Sequence, residues 1–310
     1  MVYKVAIIGL GKIACLNDIY ADNEYIFSHA KAYMNNQSFQ IVAGVDTNIN
    51  NLNKFHKFTK SKVYTKIEDI DEIIDVVSLC TPSHLRIDII KKIINKLSPK
   101  LIIIEKPIAL NMEEALQIKE FLSKYNVKIM INYIRRFLPS FINLKNELNN
   151  LKSVVITYND GLFNTASHFI DLMLFYFNTP NKVINISTTK IGIDYASEFI
   201  MQYKDFNIYF IPIKTNKYNL GEIEFFLETK KIEILDRGFK IMHKFPQLNK
   251  NFENIYYLDE ISIVDNNDMF YNLKYTIEYA RLLLEDRVLS NVDDAIQTIK
   301  ICEDLVYETI

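Results

Sequence analysis

Gly9-Leu10-Gly11-Lys12-Ile13-Ala14 follows a short apolar run and opens a helical segment. In that context G-x-G-x-x-A is a turn able to cradle a pyrophosphate. The first glycine permits the tight turn, the second lets backbone approach the phosphates, and Ala14 keeps the helix close to its strand. Backbone N–H groups at the helix start, where Lys12 and Ile13 stand, would meet the phosphate charge. The plainer reading is a strand-to-helix turn with no ligand; its place after a buried-type strand favours a dinucleotide. Such a site wants an acid at the end of the second strand, and Gln40–Asp46 supplies Asp46. A carboxylate there accepts from ribose hydroxyls and repels a 2′-phosphate, which favours NAD(H) over NADP(H). No Arg or Lys follows it immediately. The gap back to the glycines exceeds the usual ~20 residues, so residues 15–38 are expected to hold a longer helix and a loop.

Two residues can move a proton. Lys106 ends an apolar run, at the rim where open α/β sheets bind ligands, and burial beside a ligand lowers a lysine pKa. Taken alone it reads as a surface lysine in a turn. His168 begins a segment that is apolar nearly all round (Phe169, Ile170, Leu172, Met173, Leu174, Phe175), so it and Asp171 are expected to be buried. A satisfied core histidine is the bland alternative. The dipole at a helix N-terminus would keep the imidazole neutral and suited to base duty. Asn164, one turn earlier, cannot take a proton and can only orient a hydroxyl or carbonyl. Tyr133, Arg135 and Arg136 follow another apolar run. Either arginine could fork onto a carboxylate or phosphate, or be solvated charge on a helix. His29, His56, His84 and His243 lack partners at metal-ligand spacing, so no metal is expected.

Short apolar runs at Val5–Gly9, Gln40–Val45, Val76–Cys80, Leu101–Ile104 and Lys128–Ile131 read as strands covered on both faces. Helical periodicity lies between them at Leu85–Lys96 and Met112–Tyr125, the latter capped by Asn111. That alternation predicts an α/β domain, a Rossmann doubly wound parallel sheet. Beyond about residue 150 the rhythm changes. A strand at Lys152–Tyr158 and a helix at Ser167–Phe177 precede strands at Val183–Lys190, Ala196–Tyr203, Asn207–Ile213, Gly221–Glu228 and Lys231–Asp236. Glu228-Thr229-Lys230 reads as a hairpin connection. The pattern is that of a C-terminal α+β domain on a mostly antiparallel sheet. Helices at Asp268–Glu285 and Val292–Tyr307 close the chain. The boundary is placed at 124/125, giving a dinucleotide-binding domain at 1–124 and a substrate and oligomerisation domain at 125–310, whose C-terminal helix can pack back on the first.

Composition narrows the partners. The 310 residues carry 36 basic and 38 acidic side chains, net −2, which gives no field for a nucleic-acid backbone or a membrane surface. No apolar run approaches the ~20 residues of a membrane span, and the start lacks the pattern of a secretory signal. Three cysteines without a CxxC pair suggest a reducing cytoplasm rather than a disulfide framework.

Thr81-Pro82 after one strand and Glu105-Lys106-Pro107 after another, with the glycine turn, resemble the Gfo/Idh/MocA oxidoreductase family. Tyr133-Ile134-Arg135-Arg136-Phe137-Leu138-Pro139 resembles its Y-x-R-R-F-x-P segment. Residues 164–172, Asn164 to Leu172, resemble its G-x-H-x-x-D-L helix start. The resemblance runs from Val2 to about Phe177 and takes in the final helices. It implies a hydride exchange between nicotinamide and an alcohol carbon of a sugar or nucleotide-sugar, with Lys106 and His168 catalytic. It also implies that Thr81, Pro82 and Glu105 join Gly9, Gly11, Lys12, Ile13, Asp46 and Lys106 around the cofactor. Tyr133, Arg135, Arg136, Asn164, His168 and Asp171 would meet the substrate. The Pro107 peptide bond would be cis, and the open face of the second sheet would pair copies into a homodimer or homotetramer. Three positions depart from the pattern. Arg86 stands where a His is frequent, Asn164 where polyol-oxidising relatives carry Asp, and Ala166 where Gly is usual. The Asn164 version is nearer to members of surface-glycan and modified-sugar pathways. A non-catalytic NAD-binding sensor, or an enzyme for a small polyol or a linear tetrapyrrole, stays an alternative.

Overall fold

Val5, Ala6, Ile7 and Ile8 are apolar in succession, and only a strand covered on both faces buries all four; each is at most 3% exposed. They lie in β1 (Tyr3–Ile8), the centre of a parallel sheet with β2 (Phe39–Val45), β3 (Lys62–Tyr64), β4 (Val76–Leu79), β5 (Leu101–Glu105) and β6 (Lys128–Asn132). The computed structural model describes residues 2–21 and 23–307. Strand order is β3-β2-β1-β4-β5-β6 with every pair parallel. The chain reverses its direction of winding between β1 and β4, and ligands gather at such a switch point, outside the carboxyl ends of the strands.

The helices between these strands start where local chemistry allows. Asn111 caps Met112–Ser123 by accepting from Glu114 N–H at 2.8 Å, and Asn48 caps Ile49–Thr59 in the same way. Residues 15–38 differ from the expected long helix. A π-helical turn, Lys12–Leu16, leads into Asn17–Tyr20, and a second short helix, His29–Met34, starts at the Ser28 cap. Asp18 holds the loop between them by accepting from Phe27 N–H, so the added residues are taken up by a tied loop.

The first compact unit is Met1–Leu138 with Phe270–Ile299. This departs from the boundary at 124/125 for two reasons. Strand β6 pairs along its length with β5. The helix Asn272–Leu284 places Leu273, Ile277, Ala280 and Leu283 in one core with Val5, Ile7, Leu101, Ile103 and Met130. Polar ties fix it there: Thr276 Oγ1 donates to Asn132 Oδ1 at 3.0 Å, and Lys128 Nζ donates to Leu283 O at 2.7 Å.

The second unit is Pro139–Met269 with Lys300–Ile310. Its eight strands are β7 (Leu151–Tyr158), β8 (Lys182–Ile191), β9 (Asp194–Gln202), β10 (Asn207–Pro212), β11 (Gly221–Leu227), β12 (Lys231–Leu235), β13 (Lys240–Leu248) and β14 (Tyr256–Asp265). Their order is β14-β13-β12-β11-β7-β10-β9-β8. Only β7 and β10 pair in parallel; the other neighbours are antiparallel. Alternate residues such as Val154, Ile156, Ile223, Phe225, Ile232 and Ile234 are fully buried. The helix Ser167–Phe177 packs on this sheet. Gly221 lets it approach, since a Cβ there would stand 2.9 Å from the Phe169 ring. Strands β13 and β14 were not expected: Lys240–Leu248 has no clean alternation and contains Pro246.

Candidate functional site

The glycine turn has the backbone geometry its spacing predicts. Gly9 has φ +85°, a conformation side chains rarely adopt, and a Cβ on it would stand 2.9 Å from Thr81. A Cβ on Gly11 would meet nothing within 4 Å, so its backbone faces open space. That space is a cavity of about 1060 Å³ at the carboxyl edge of the parallel sheet, at the upper end of ligand pockets, which run ~300–1,000 Å³. Gly9, Gly11, Ile13, Asp46, Thr81, Pro82, Glu105 and Lys106 all line it. Lys12 is exposed and is not among the lining residues. The turn after Gly11 is a short π-helical one, with Cys15 and Leu16 N–H both directed to Gly11 O. Any phosphate contact therefore rests on the first N–H groups of that turn.

Asp46 ties the turn to β2. Its Oδ2 accepts from Leu10 N–H at 2.7 Å and Asn51 Nδ2 at 3.1 Å, and its Oδ1 accepts from Asn48 N–H at 2.8 Å. A carboxylate has about four acceptor positions, so one remains on Oδ1 for a hydroxyl. The residues present fit a dinucleotide: an open glycine backbone, an acid at the end of β2 and a cavity of sufficient size. Lys106 is half-buried at the cavity rim, and the Lys106–Pro107 peptide is cis.

Glu105 anchors a buried network. His29 Nε2 lies 2.8 Å and Asn132 Nδ2 2.6 Å from the same oxygen, Oε1. Burial pushes the Glu105 carboxyl up, but the His29 and Asn132 hydrogen bonds and the positive charge of Arg86 outweigh it and hold it below the usual range. Arg86 is 1% exposed. Burial brings its guanidinium down to about 10, against the opposing pull of Glu105. Its Nη2 donates to Thr81 O at 3.1 Å, while its Nε and Nη1 and the Thr81 hydroxyl have no hydrogen-bond partner among the described residues. Burial, then the Glu105 charge, pushes the Cys80 thiol well up, so this cavity-lining cysteine stays a neutral thiol. His29 carried no signal in the sequence because its partner lies 76 residues away; Arg86 was visible only as a departure from a pattern.

In the first unit, three further expected residues stand outside the cavity lining. Tyr133, Arg135 and Arg136 are buried in the first unit and do not line it. Arg136 Nη1 donates to Asp294 Oδ2 at 2.9 Å, so the reading as solvated helix charge does not hold. In the second unit a π-helical turn, Leu162–Ala166, leads into Ser167–Phe177. Asp171 is buried, but His168 is half-buried and Asn164 exposed. His168 stands in the first turn between the fully buried Ser167 and Phe169. Asp194, unmarked in the sequence, accepts from Phe163 N–H at 3.1 Å and Asn164 N–H at 3.0 Å, so a carboxylate caps this segment.

Residues 3–133 match the GFO_IDH_MocA model, the oxidoreductase family with an NAD-binding Rossmann fold. No curated protein sequence matches the chain. Among solved structures, the dehydrogenase MviM from Clostridium difficile superposes with a TM-score of 0.77 at 17% identity, covering 99% of both chains. UDP-N-acetylglucosamine 3-dehydrogenase GnnA from Acidithiobacillus ferrooxidans gives 0.77 at 12% identity, covering 98% of this chain and 97% of that one. An oxidoreductase from Agrobacterium radiobacter, solved with NAD+, L-tartaric acid and magnesium, gives 0.74 at 12% identity, covering 100% and 96%. Likeness at these identities establishes the fold across both units.

Proposed function

Since residues 3–133 carry the NAD-binding Rossmann fold of the Gfo/Idh/MocA oxidoreductase family, we propose that the chain is an NAD(H)-dependent oxidoreductase acting on a hydroxyl or keto carbon of a sugar, free or nucleotide-linked. The observation that carries this is the cavity in which Gly9, Gly11 and Asp46 stand with Lys106. The nicotinamide supplies the hydride chemistry when bound. Gly11 leaves room for phosphate against backbone, Asp46 accepts from a ribose hydroxyl and disfavours a 2′-phosphate, and Lys106 holds or takes the hydroxyl proton at Nζ. His168, at the start of its helix, is the second proton carrier. A positioned acid or base is worth ~10²–10⁴-fold in rate. Lys106→Ala should therefore cut turnover about 100-fold or more while NADH fluorescence titration stays near wild type. Undiminished turnover in that variant overturns the mechanism.

The substrate class draws support from relatives of this fold that include a nucleotide-sugar dehydrogenase, and a role in surface-glycan or modified-sugar synthesis follows as the narrower proposal. Asn164 favours a second reading, a non-catalytic NAD-binding sensor, because an exposed amide cannot take a proton. Decay of NADH fluorescence on adding keto-sugars and nucleotide keto-sugars separates the two, since a sensor binds the nucleotide and never oxidises it. We place the protein in a reducing cytoplasm, in keeping with three cysteines and no disulfide among the described residues. Self-association through the open face of the second sheet is checked by light scattering, where a mass of one chain refutes it.

A further inference from the structure

We infer that His29 is a positioning residue for the Glu105-Lys106-Pro107 turn, acting through Glu105 to fix which carboxylate oxygen is offered to the cavity. The inference rests on the reading of that cavity as a nucleotide site. His29 and Ser78 are fully buried and Tyr33 is 1% exposed. They form one chain: Tyr33 OH lies 2.7 Å from Ser78 Oγ, Ser78 Oγ lies 3.1 Å from His29 Nδ1, and His29 Nε2 lies 2.8 Å from Glu105 Oε1.

Counting hydrogens gives this chain a direction. Glu105 as a carboxylate only accepts, so Nε2 carries a hydrogen and donates to Oε1. With the imidazole neutral, Nδ1 accepts from the Ser78 hydroxyl, and Ser78 Oγ accepts from the Tyr33 hydroxyl. Every hydrogen then has an acceptor. A second ring hydrogen would donate to Ser78 Oγ and leave one of the two buried hydroxyl hydrogens, that of Ser78 or that of Tyr33, with no acceptor in the chain, an expensive state. Asn132 Nδ2 donates to the same Oε1 at 2.6 Å, and its amide is held in that sense by Thr276 Oγ1, which donates to Asn132 Oδ1. Two donors thus converge on Oε1, and Oε2 is the oxygen left to the cavity that Glu105 lines. The order Ser78–His29–Glu105 has the residue types of a nucleophile, a base and an acid. Ser78 Oγ is sealed from solvent and donates to Nδ1, so the device positions a carboxylate and attacks nothing.

The test compares His29→Gln, which keeps an N–H donor for Glu105, with His29→Leu, which removes it. Both lose the ring nitrogen that accepts from Ser78, so thermal melts of the full chain should fall in both, and further for His29→Leu, which also takes a donor from Glu105. NADH titration by fluorescence should weaken about tenfold for His29→Leu and stay within about threefold of wild type for His29→Gln. Wild-type affinity in His29→Leu, or equal weakening in both variants, overturns the inference. Imidazole 1H–15N spectra of the wild-type chain give a readout that needs no stable His29→Leu protein. The signal absent from His29→Gln should place its hydrogen on Nε2 and shift on adding NADH. A hydrogen on Nδ1, or a signal NADH leaves unmoved, overturns the inference alone. A wild-type chain that binds neither NADH nor NADPH overturns the nucleotide reading and the inference together.

Discussion

Asp46 carries two duties on one carboxylate. It accepts Leu10 N–H at 2.7 Å and so shapes the glycine turn, and under the proposed function its charge disfavours a 2′-phosphate. Asp46→Asn keeps the shape but presents an amide donor among three N–H donors. A hydrogen bond to a charged group is worth ~1.5–3 kcal/mol, so NADH affinity should fall about tenfold or more, and the preference for NADH over NADPH should narrow. Parallel fluorescence titrations with both nucleotides measure this; an unchanged ratio removes Asp46 from selectivity. Glu105 predicts a pH effect on stability. Its folded pKa lies below the ordinary carboxylate value of 4.5, mainly through the His29 and Asn132 bonds overcoming burial. Its contribution is therefore fully present above pH 4.5 and is lost as pH falls through the lower folded value. Urea melts from pH 6 to pH 3 should show a shallower loss for Glu105→Gln than for wild type; parallel curves would refute the shift. That the glycines, Asp46 and Lys106 line one cavity could be expected from the sequence, because each stands next to a strand end. His29 could not, since its contacts are with residues 49 and 76 positions away.

Helix starts show the same division between local and distant causes. Asn111 before Met112 is a local cap, and the sequence marks it. The start of Leu162–Phe177 is set by Asp194, which arrives with β9 from 30 residues downstream, and no local signal announces it. A negative charge at that terminus also meets the helix dipole favourably. Gly161 makes the approach possible: its φ is +95°, and a Cβ there would lie 2.2 Å from Asp194 Oδ2. Removing such a cap costs ~0.5–2 kcal/mol. Asp194→Ala should lower the urea midpoint by an amount in that range, and Asp194→Asn, which keeps one acceptor, should lose less. Equal losses would place the effect in packing around β9 instead. The same reasoning explains which strands were legible. The runs in β1, β2, β4, β5 and β6 are apolar on both faces and announce themselves. Strand β3 is three residues long, and β13 and β14 are held chiefly by their mutual ladder, from Lys240 opposite Asp265 to Leu248 opposite Tyr256.

At the scale of the molecule, strand–helix alternation was enough to predict a doubly wound first sheet and an antiparallel second one, because each is a statement about neighbours in sequence. The extent of the first unit was not legible, because it depends on residues some 140 to 160 positions apart. Asn291 Nδ2 donates to Ile131 O at 2.8 Å and its Oδ1 accepts Ile131 N–H at 2.8 Å, continuing the edge of β6 as a strand would. The helix Asn272–Leu284 buries Leu273, Ile277 and Leu283 in the first core. Full burial of one such side chain is worth ~1.5–3 kcal/mol, so the three together supply about 5–9 kcal/mol, comparable with the ~5–15 kcal/mol that separates a folded domain from its unfolded chain. A fragment of residues 1–138 should therefore lack a cooperative thermal transition and fail to bind NADH, although it contains every residue lining the cavity. The same fragment joined through a flexible linker to 270–299 should recover both. Cooperative melting and full NADH affinity in the shorter fragment would show that the returning helix covers the sheet without being needed to hold it.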